Sequence, residues 1–373
     1  MNKCRNRNTP EMQGKERISF ERLRAFCKEA LVREGMSEEN ALRCADVLVE
    51  TDGVGVYSHG TANLFNYIRK KRAGGVSFTA EPEVVLDGPA YAVIDGHNAM
   101  GMISSCKAVE LACQKAQNTG ISLVAVRNSC HYGAAGYYSN LAARKGMICL
   151  SLSNVDPNMN VPGAKGKAIG NNPIAYSAPI EGERPMNLDI SCSNVASLRV
   201  INAKKRGEEI PNTWIVDGEG HPTTDPSCYP EQGAMLPMGA HKGYGLALLV
   251  ELLTAILASG EYSSGGNIVS WCFELEKPNQ VCHSFIVIDP TKFMAQGVAE
   301  KRIKEMALSL RNAPKAAGVE EIRIPGEGGW RNWAQFHEEG IPLPENVFGS
   351  LRELGQDIGL EFPETSTEKE KVE

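Results

Sequence analysis

Apolar positions near the start of the chain recur at helical spacing. Phe20, Leu23, Phe26 and Leu31 form one stripe, stopped by Gly35, and Ala41, Cys44, Val47 and Leu48 form a second, stopped by Gly53. Between them Ser37 stands where a helix N-cap belongs, because its hydroxyl can accept from an otherwise unpaired first-turn amide. A third helix is predicted after Ser58-His59-Gly60, with Leu64, Tyr67 and Ile68 on one face and Gly74-Gly75 as its end. From about residue 83 the period changes. Short β-rich runs cover Val84–Leu86, Ala92–Ile94, Leu123–Arg127, Ile148–Ser153, Ile174–Ser177, Asn187–Ile190 and Ser284–Ile288. They alternate with helical patterns over Ile103–Asn118, Ala135–Lys145, Tyr244–Ala258 and Val298–Arg311, and Glu345–Ile358 is helical again. The links from 84–86 to 92–94 and from 174–177 to 187–190 are short and turn-rich, which favours antiparallel pairing. The pattern predicts an α/β fold: a mixed, largely antiparallel sheet flanked by helices in residues 83–329, and a smaller all-helical domain from residues 17–82 and 330–360. Residues 1–16 and 363–373 read as disordered tails.

Composition narrows the partners. A length of 373 residues exceeds what one core usually holds, in keeping with two domains. The net charge of −6 argues against nucleic acid or an anionic membrane surface, since both need clustered Lys and Arg. The one basic cluster, Arg69-Lys70-Lys71-Arg72, ends a helical pattern and reads as a solvated helix terminus. The apolar run from Gly245 to Gly260 contains Glu251 and is shorter than the ~20 residues of a membrane span, so it reads as a buried helix. Eleven cysteines without CxxC pairs sit mostly in apolar stretches, which points to a reducing, cytoplasmic setting. The opening Met1-Asn2-Lys3-Cys4-Arg5 has no apolar segment behind it, so no signal peptide is expected.

The chemistry centres on two histidines in glycine-rich settings, His59 in Tyr57-Ser58-His59-Gly60 and His131 in Cys130-His131-Tyr132-Gly133. A lone histidine is as often a satisfied structural residue; two beside glycine at element boundaries favour proton transfer near neutral pH. Neither has a partner at metal-ligand spacing, so no metal site is expected. The doubly wound G-x-G-x-x-G fingerprint is absent. Two loops replace it as anion sites. Val161–Pro173 is glycine-rich with Lys165 and Lys167, a phosphate cradle or a plain surface loop. Pro237–Gly245 opens the long apolar helix and carries His241 and Lys242, which suits a phosphate at a helix N-terminus. Arg323–Gly329 reads by itself as a turn, and Asp189, at a strand end, either binds ribose hydroxyls or caps a helix.

Ser58-His59-Gly60, His131–Gly136, Gly170-Asn171-Asn172-Pro173, Asp189 with Ser193 and Ala196, Asp225-Pro226, Lys242–Gly245 and Pro325-Gly326-Glu327 occur in that order. Their succession, over about residues 20 to 360, resembles the malate/L-lactate dehydrogenase family, which includes sulfolactate, ureidoglycolate and diketogulonate oxidoreductases and a cyclic-imine reductase. The resemblance implies NAD, with NADP as the other possibility, bound on a non-Rossmann mixed-sheet domain, and a homodimer. It implies proton transfer by His131 or His59, and His131 ranks first because it stands at a strand end. It implies cofactor contacts at Gly170, Asn172, Pro173, Asp189, Ile190, Ser191, His241, Lys242, Pro325, Gly326 and Glu327. Ser58, Asn63, Tyr67 and Asp156 are the substrate-side candidates; Asp156 orients His131 or only forms an Asp-Pro turn. The family pattern Ser-His-Gly-x-x-Arg ends here in Asn63, which lacks the charge to fork a substrate carboxylate. Val155, Ala164 and Asn171 also depart from the pattern. The expected activity is hydride transfer between nicotinamide and a small 2-hydroxy or 2-oxo acid. Reduction of a cyclic imine or unusual carbonyl, and a catalytically silent ligand-binding role, are the alternatives.

Overall fold

Serine caps start the first two helices of the computed structural model, which describes residues 16–366. Ser19 and Ser37 hydroxyls accept from the amides of Arg22 and Asn40, at the heads of α1 (Phe20–Arg33) and α2 (Glu38–Gly53). Both stripes face inward: Phe20, Leu23, Phe26 and Leu31 on α1, and Ala41, Cys44, Val47 and Leu48 on α2, are buried. α3 (Leu64–Arg72) follows. Near the other end of the chain come α9 (Glu327–Glu339) and α10 (Glu345–Ile358), the latter burying Val347, Phe348, Leu351 and Leu354. Among the described residues, 16–68 and 328–366 form one compact unit, and Arg69–Glu327 form the other.

The boundary thus falls before the last turn of α3 rather than at residue 82. The reason is local: Lys70 donates to Glu274 O and Lys277 O, and Ser77 N donates to Asn98 O, all within the larger unit. Lys70 is fully buried, which corrects its reading as part of a solvated helix end. At the C-terminal side Ser366 pairs with Arg17 through two backbone bonds of 2.9 and 3.0 Å, so residues 363–366 are not a free tail. The tails expected over residues 1–15 and 367–373 lie outside the described residues.

In the larger unit the elements run β1 (Glu83–Asp87), β2 (Tyr91–Asp95), α4 (Gly101–Thr119), β3 (Ile121–Ser129), α5 (Ala135–Ala143), β4 (Ile148–Ser153), β5 (Ile174–Ala178) and β6 (Met186–Ile190). After them come α6 (Ser197–Arg206), β7 (Ile215–Val216), β8 (Pro222–Thr223), β9 (Ala234–Met235), α7 (His241–Glu251), β10 (Val281–Ile288) and α8 (Val298–Arg311). The seven runs with strand character all enter one sheet, in the order β1-β2-β3-β10-β4-β5-β6. Every pair is antiparallel except β2 with β3, which α4 joins by a crossover. The mixed, largely antiparallel sheet is therefore the one the periodicity predicts. A small sheet, β8-β7-β9, packs with α6 and α7 around Met159, Ile169, Val200, Ile215, Tyr229 and Met235.

α7 corrects another expectation. It continues without a break into a π-helical turn, Leu252–Ile256, and the apolar run is not buried all round. Leu248, Leu249, Leu252, Ile256 and Leu257 are 41–55% exposed and form an outward stripe. No helix among the described residues is long and apolar enough to cross a membrane.

Candidate active site

Strand pairing gathers much of the expected chemistry along one edge of the large sheet. β3 and β4 flank the antiparallel β10, so their C-terminal ends lie together: Ser129 opposes Val281 and Ser153 opposes His283. β5 starts and β6 ends at that edge, with Leu152 opposite Ile174 and Ile174 opposite Ile190. The segments leaving or entering it carry His131, Asp156, Gly170–Pro173 and Asp189–Ser191.

His131 is aimed by its backbone. Pairing of β3 with β10 slips between Val281 and His283, leaving an extra residue on β3, and Asn128 takes φ 51° there. Such a bulge turns the strand end out of register, and the Asn128 amide fixes the turn by donating to Asp95 Oδ2 at 2.9 Å. The His131 ring lies flat on Trp271, centroids 4.5 Å apart and planes within 10°. Behind this segment is His283, a fully buried residue in no motif. Its Nε2 lies 3.2 Å from Cys130 O and 3.0 Å from Ser129 Oγ, and its Nδ1 lies 2.9 Å from Ser153 Oγ. The carbonyl assigns the proton to Nε2. Burial pushes His283 down to about 3, so the ring is neutral, and it stacks on Tyr132 at 4.3 Å. A neutral imidazole thus grips the residues on either side of His131. Gly101 allows α4 to start beneath them, since a Cβ there would lie 1.9 Å from Cys130 O.

The loop bearing Asp156 hangs on a buried polar network. Asn172, fully buried at φ 23°, accepts from Val155 N at 3.1 Å and donates to Ala247 O at 3.0 Å and Glu251 Oε1 at 2.9 Å. The Glu251 carboxylate also accepts from Asn154 Nδ2, Ser263 N and Ser263 Oγ. With its oxygens satisfied, the carboxylate recovers the several kcal/mol that burial costs. Gly170 must be glycine, because a Cβ would stand 2.3 Å from Asn172 Oδ1 and 2.6 Å from Val155 O. The Gly-Asn-Asn-Pro motif therefore turns inward: the Asn172 amide is committed to protein partners and positions the Asp156 loop. Asp156 itself is half-buried, and burial pushes its carboxyl up, against the opposing pull of Lys167. Asp156 makes no hydrogen bond to His131, whose ring is stacked on Trp271.

Beyond β6, Asp189 Oδ2 accepts from Gly136 N at 2.7 Å and so caps α5, not the helix that follows it in sequence. Pro325 O accepts from Asn187 N at 3.0 Å, closing the edge of β6, and Gly326 makes the turn at φ 98°. The Glu327 carboxylate takes Arg311 Nε at 2.6 Å and Ile324 N at 3.1 Å, and it starts α9 where only a turn is expected. Ser191 Oγ is 3.0 Å from Ser193 Oγ. α7 begins against this segment: a Cβ at Gly243 would lie 2.4 Å from Cys192 O. His241 and Lys242 are exposed there, after Gly239 and Ala240 at φ 55° and 53°. Pro237 and Ala240 line a cavity of about 650 Å³ together with Gly163, Lys165, Asn194 and His221, which brings both glycine-rich loops to one place. An exposed lysine at a helix start, a tight backbone turn and an open cavity suit a phosphate-bearing nicotinamide cofactor.

In the helical unit, His59 Nδ1 is 2.9 Å from Ser58 Oγ, and Asn63 Nδ2 donates to Ser58 O at 2.9 Å. Tyr67 is fully buried. The turn after His59 rests on Asp52, which no motif marks. Its Oδ2 accepts from Thr61 N at 3.0 Å and Thr61 Oγ1 at 2.6 Å, and a Cβ at Gly60 would lie 1.9 Å from Oδ1. Burial pushes the Asp52 carboxyl up to about 7, further than the Thr61 bonds pull it down.

A mixed, largely antiparallel sheet with a histidine held at its edge is the architecture of oxidoreductases built without the doubly wound nucleotide fold, and the relatives of this chain are dehydrogenases of that kind. Within that class the chain belongs to the malate/L-lactate dehydrogenase family, which it matches over residues 18–352. It is 36% identical to the malate dehydrogenase of Pyrococcus horikoshii over 92% of this chain and 96% of that one. The solved structure of the P. horikoshii enzyme superposes with a TM-score of 0.85 at 34% identity, covering 93% and 97% of the two chains. The L-sulfolactate dehydrogenase of Methanocaldococcus jannaschii is 35% identical over 89% and 94%. The Delta(1)-pyrroline-2-carboxylate/Delta(1)-piperideine-2-carboxylate reductase of Pseudomonas putida is 32% identical over 91% and 96%.

Proposed function

We propose that this protein is a nicotinamide-dependent dehydrogenase that interconverts a small 2-hydroxy acid and its 2-oxo acid, with His131 moving the proton. A nicotinamide cofactor held at the start of α7 would supply or take up the hydride. Charge that gathers on the carbonyl oxygen during reduction is met by a proton from the His131 imidazolium, and oxidation of the hydroxyl returns that proton to the neutral ring. The observation that carries the reading is the fixing of His131: its peptide is gripped by His283 and its ring plane by Trp271. Asp156, whose carboxyl burial pushes up, leaves the sheet along the same edge. Lys242 and His241 with the Gly239-Ala240 turn would hold cofactor phosphate, beside Ile190 and Ser191. The exposed Asp189 carboxylate at the end of β6 supports a reading with NAD rather than NADP, since a carboxylate disfavours a 2′-phosphate.

His131→Ala is expected to abolish turnover of (S)-malate with NAD while NADH, titrated by fluorescence beside NADPH, still binds. Wild-type turnover by His131→Ala refutes the role, and tighter NADPH binding by the native chain refutes the cofactor choice. Asn63 favours a second reading, reduction of a cyclic imine, since its amide is spent on Ser58 O and offers no guanidinium to a second carboxylate. NAD(P)H oxidation with Δ1-piperideine-2-carboxylate set against oxaloacetate separates the two. The outward stripe on α7 supports a homodimer, because apolar groups at that spacing are seldom left to water. None of the ten described cysteines is in a disulfide and eight of them are buried, which supports a reducing cytoplasm.

A further inference from the structure

Lys70 holds its ammonium in the protein interior on backbone carbonyls rather than in an ion pair. Its side chain is fully buried, and its Nζ donates to Glu274 O at 2.9 Å and Lys277 O at 2.7 Å. Among the described residues no carboxylate forms an ion pair with it. Removing an ammonium from water costs several kcal/mol, and an apolar side chain of the same length would fill the space without that cost. What the charge gains is a grip on two carbonyls of one segment.

That segment has little else to hold it. Residues 270–277 form turns without strand or helix, and Phe273 in their midst is 73% exposed. Within it Glu274 N donates to Ser270 O at 3.1 Å, Ser270 Oγ lies 3.5 Å from Cys272 Sγ, and Lys277 pairs with Glu274 at 2.7 Å. The other brace belongs to the same turn as Lys70. Gly75 N donates to Lys70 O, and a Cβ on Gly75 would lie 2.0 Å from Leu275 O and 2.8 Å from Lys277 O. The segment carries Trp271, the ring that lies flat on His131.

We propose that Lys70 is a positioning residue for the reaction: through the carbonyls of Glu274 and Lys277 it fixes the 270–277 segment so that Trp271 stays stacked on His131. The stack covers one face of the imidazole and favours the protonated ring through the indole face. The effect on turnover rests on the reading of His131 as the proton-transferring residue; the effect on the stack does not.

Proton NMR of the histidine Cε1–H signals in the full chain tests the proposal, with seven histidines to resolve. The His131 line, identified by its loss in His131→Ala, lies upfield because of the indole ring current. Lys70→Met moves that line to where Trp271→Ala puts it, and kcat for (S)-malate falls at least about tenfold while KM for NAD holds. Trp271→Phe keeps both the upfield line and most of kcat. The Lys70→Met/Trp271→Ala double variant is no slower than Trp271→Ala alone, as residues acting through one contact require. Should Lys70→Met fail to fold, Gly75→Ala presses on Leu275 O without touching the buried charge and must move the same line. An unmoved line, or losses in kcat that multiply, overturns the proposal with His131→Ala inactive; wild-type turnover by His131→Ala instead removes the reading beneath it.

Discussion

Asp52→Asn removes a proton site from the interior of the helical unit and keeps an oxygen for Thr61. Two effects compete at Asp52. Two hydrogen bonds from Thr61 favour the carboxylate, each worth ~1.5–3 kcal/mol when the acceptor is charged, while loss of hydration costs the charge several kcal/mol. Burial is the larger, and it lifts the carboxyl from 3.8 to about 7. The folded chain therefore keeps a proton that the unfolded chain has already released. Stability from this group is greatest below pH 4, falls by ~1.4 kcal/mol per unit as pH rises towards 7, and is level above it. Asparagine has no such slope. The unfolding free energy of Asp52→Asn, relative to the native chain, should thus rise by about 3 kcal/mol between pH 4.5 and pH 8. Urea titrations at those two pH values, followed by tryptophan fluorescence and far-ultraviolet circular dichroism, measure that difference. A difference that stays constant within about 1 kcal/mol refutes the reasoning, for it means that the Thr61 bonds outweigh burial and the group is ionised throughout. The same carboxyl supports the Gly60-Thr61 turn that follows His59.

Two further outcomes follow. Asn63→Arg restores a guanidinium at the Ser-His-Gly-x-x position and should raise kcat/KM for oxaloacetate; equal or lower values across a panel of 2-oxo dicarboxylates rule out a carboxylate-reading role for this position. Leu252→Asp combined with Ile256→Asp places charge in the exposed stripe of α7 and, on the proposed homodimer, should halve the mass seen by light scattering; an unchanged mass rules out this stripe as a dimer contact.

Periodicity alone located all seven strands of the sheet and the limits of α8 and α10, because those elements alternate or stripe against a core. Roles were harder to read than places. Gly170 and Asn172 stand out as a motif, yet whether they face a ligand or the interior depends on Glu251, 79 residues away from Asn172 along the chain. The basic run at Arg69–Arg72 looks uniformly solvated, and only carbonyls more than 200 positions later bury Lys70. α9 escaped notice because Gly328-Gly329 argue for a turn, while the Glu327 carboxylate, capping and paired, overrides them. α7 is apolar on every side, so its sequence could not show which face would be left to solvent. His283 and Asp52 leave the faintest trace, each a single polar residue inside an apolar element, and their importance comes from contacts no local pattern encodes.

The place of β10 in the sheet also governs how the protein is made. It is the last strand synthesised, yet it lies between β3 and β4, and His283 meets its partners Ser153 and Ser129 across 130 and 154 residues of chain. A nascent polypeptide that has not reached Val281 holds β3 and β4 as two open edges with unpaired N–H and C=O groups. The strands that present His131 and Asp156 cannot come together until most of the chain has left the ribosome. Stalled or truncated products consequently carry adhesive strand edges and no assembled centre, so completion of translation sets both the onset of activity and the end of the interval most exposed to aggregation.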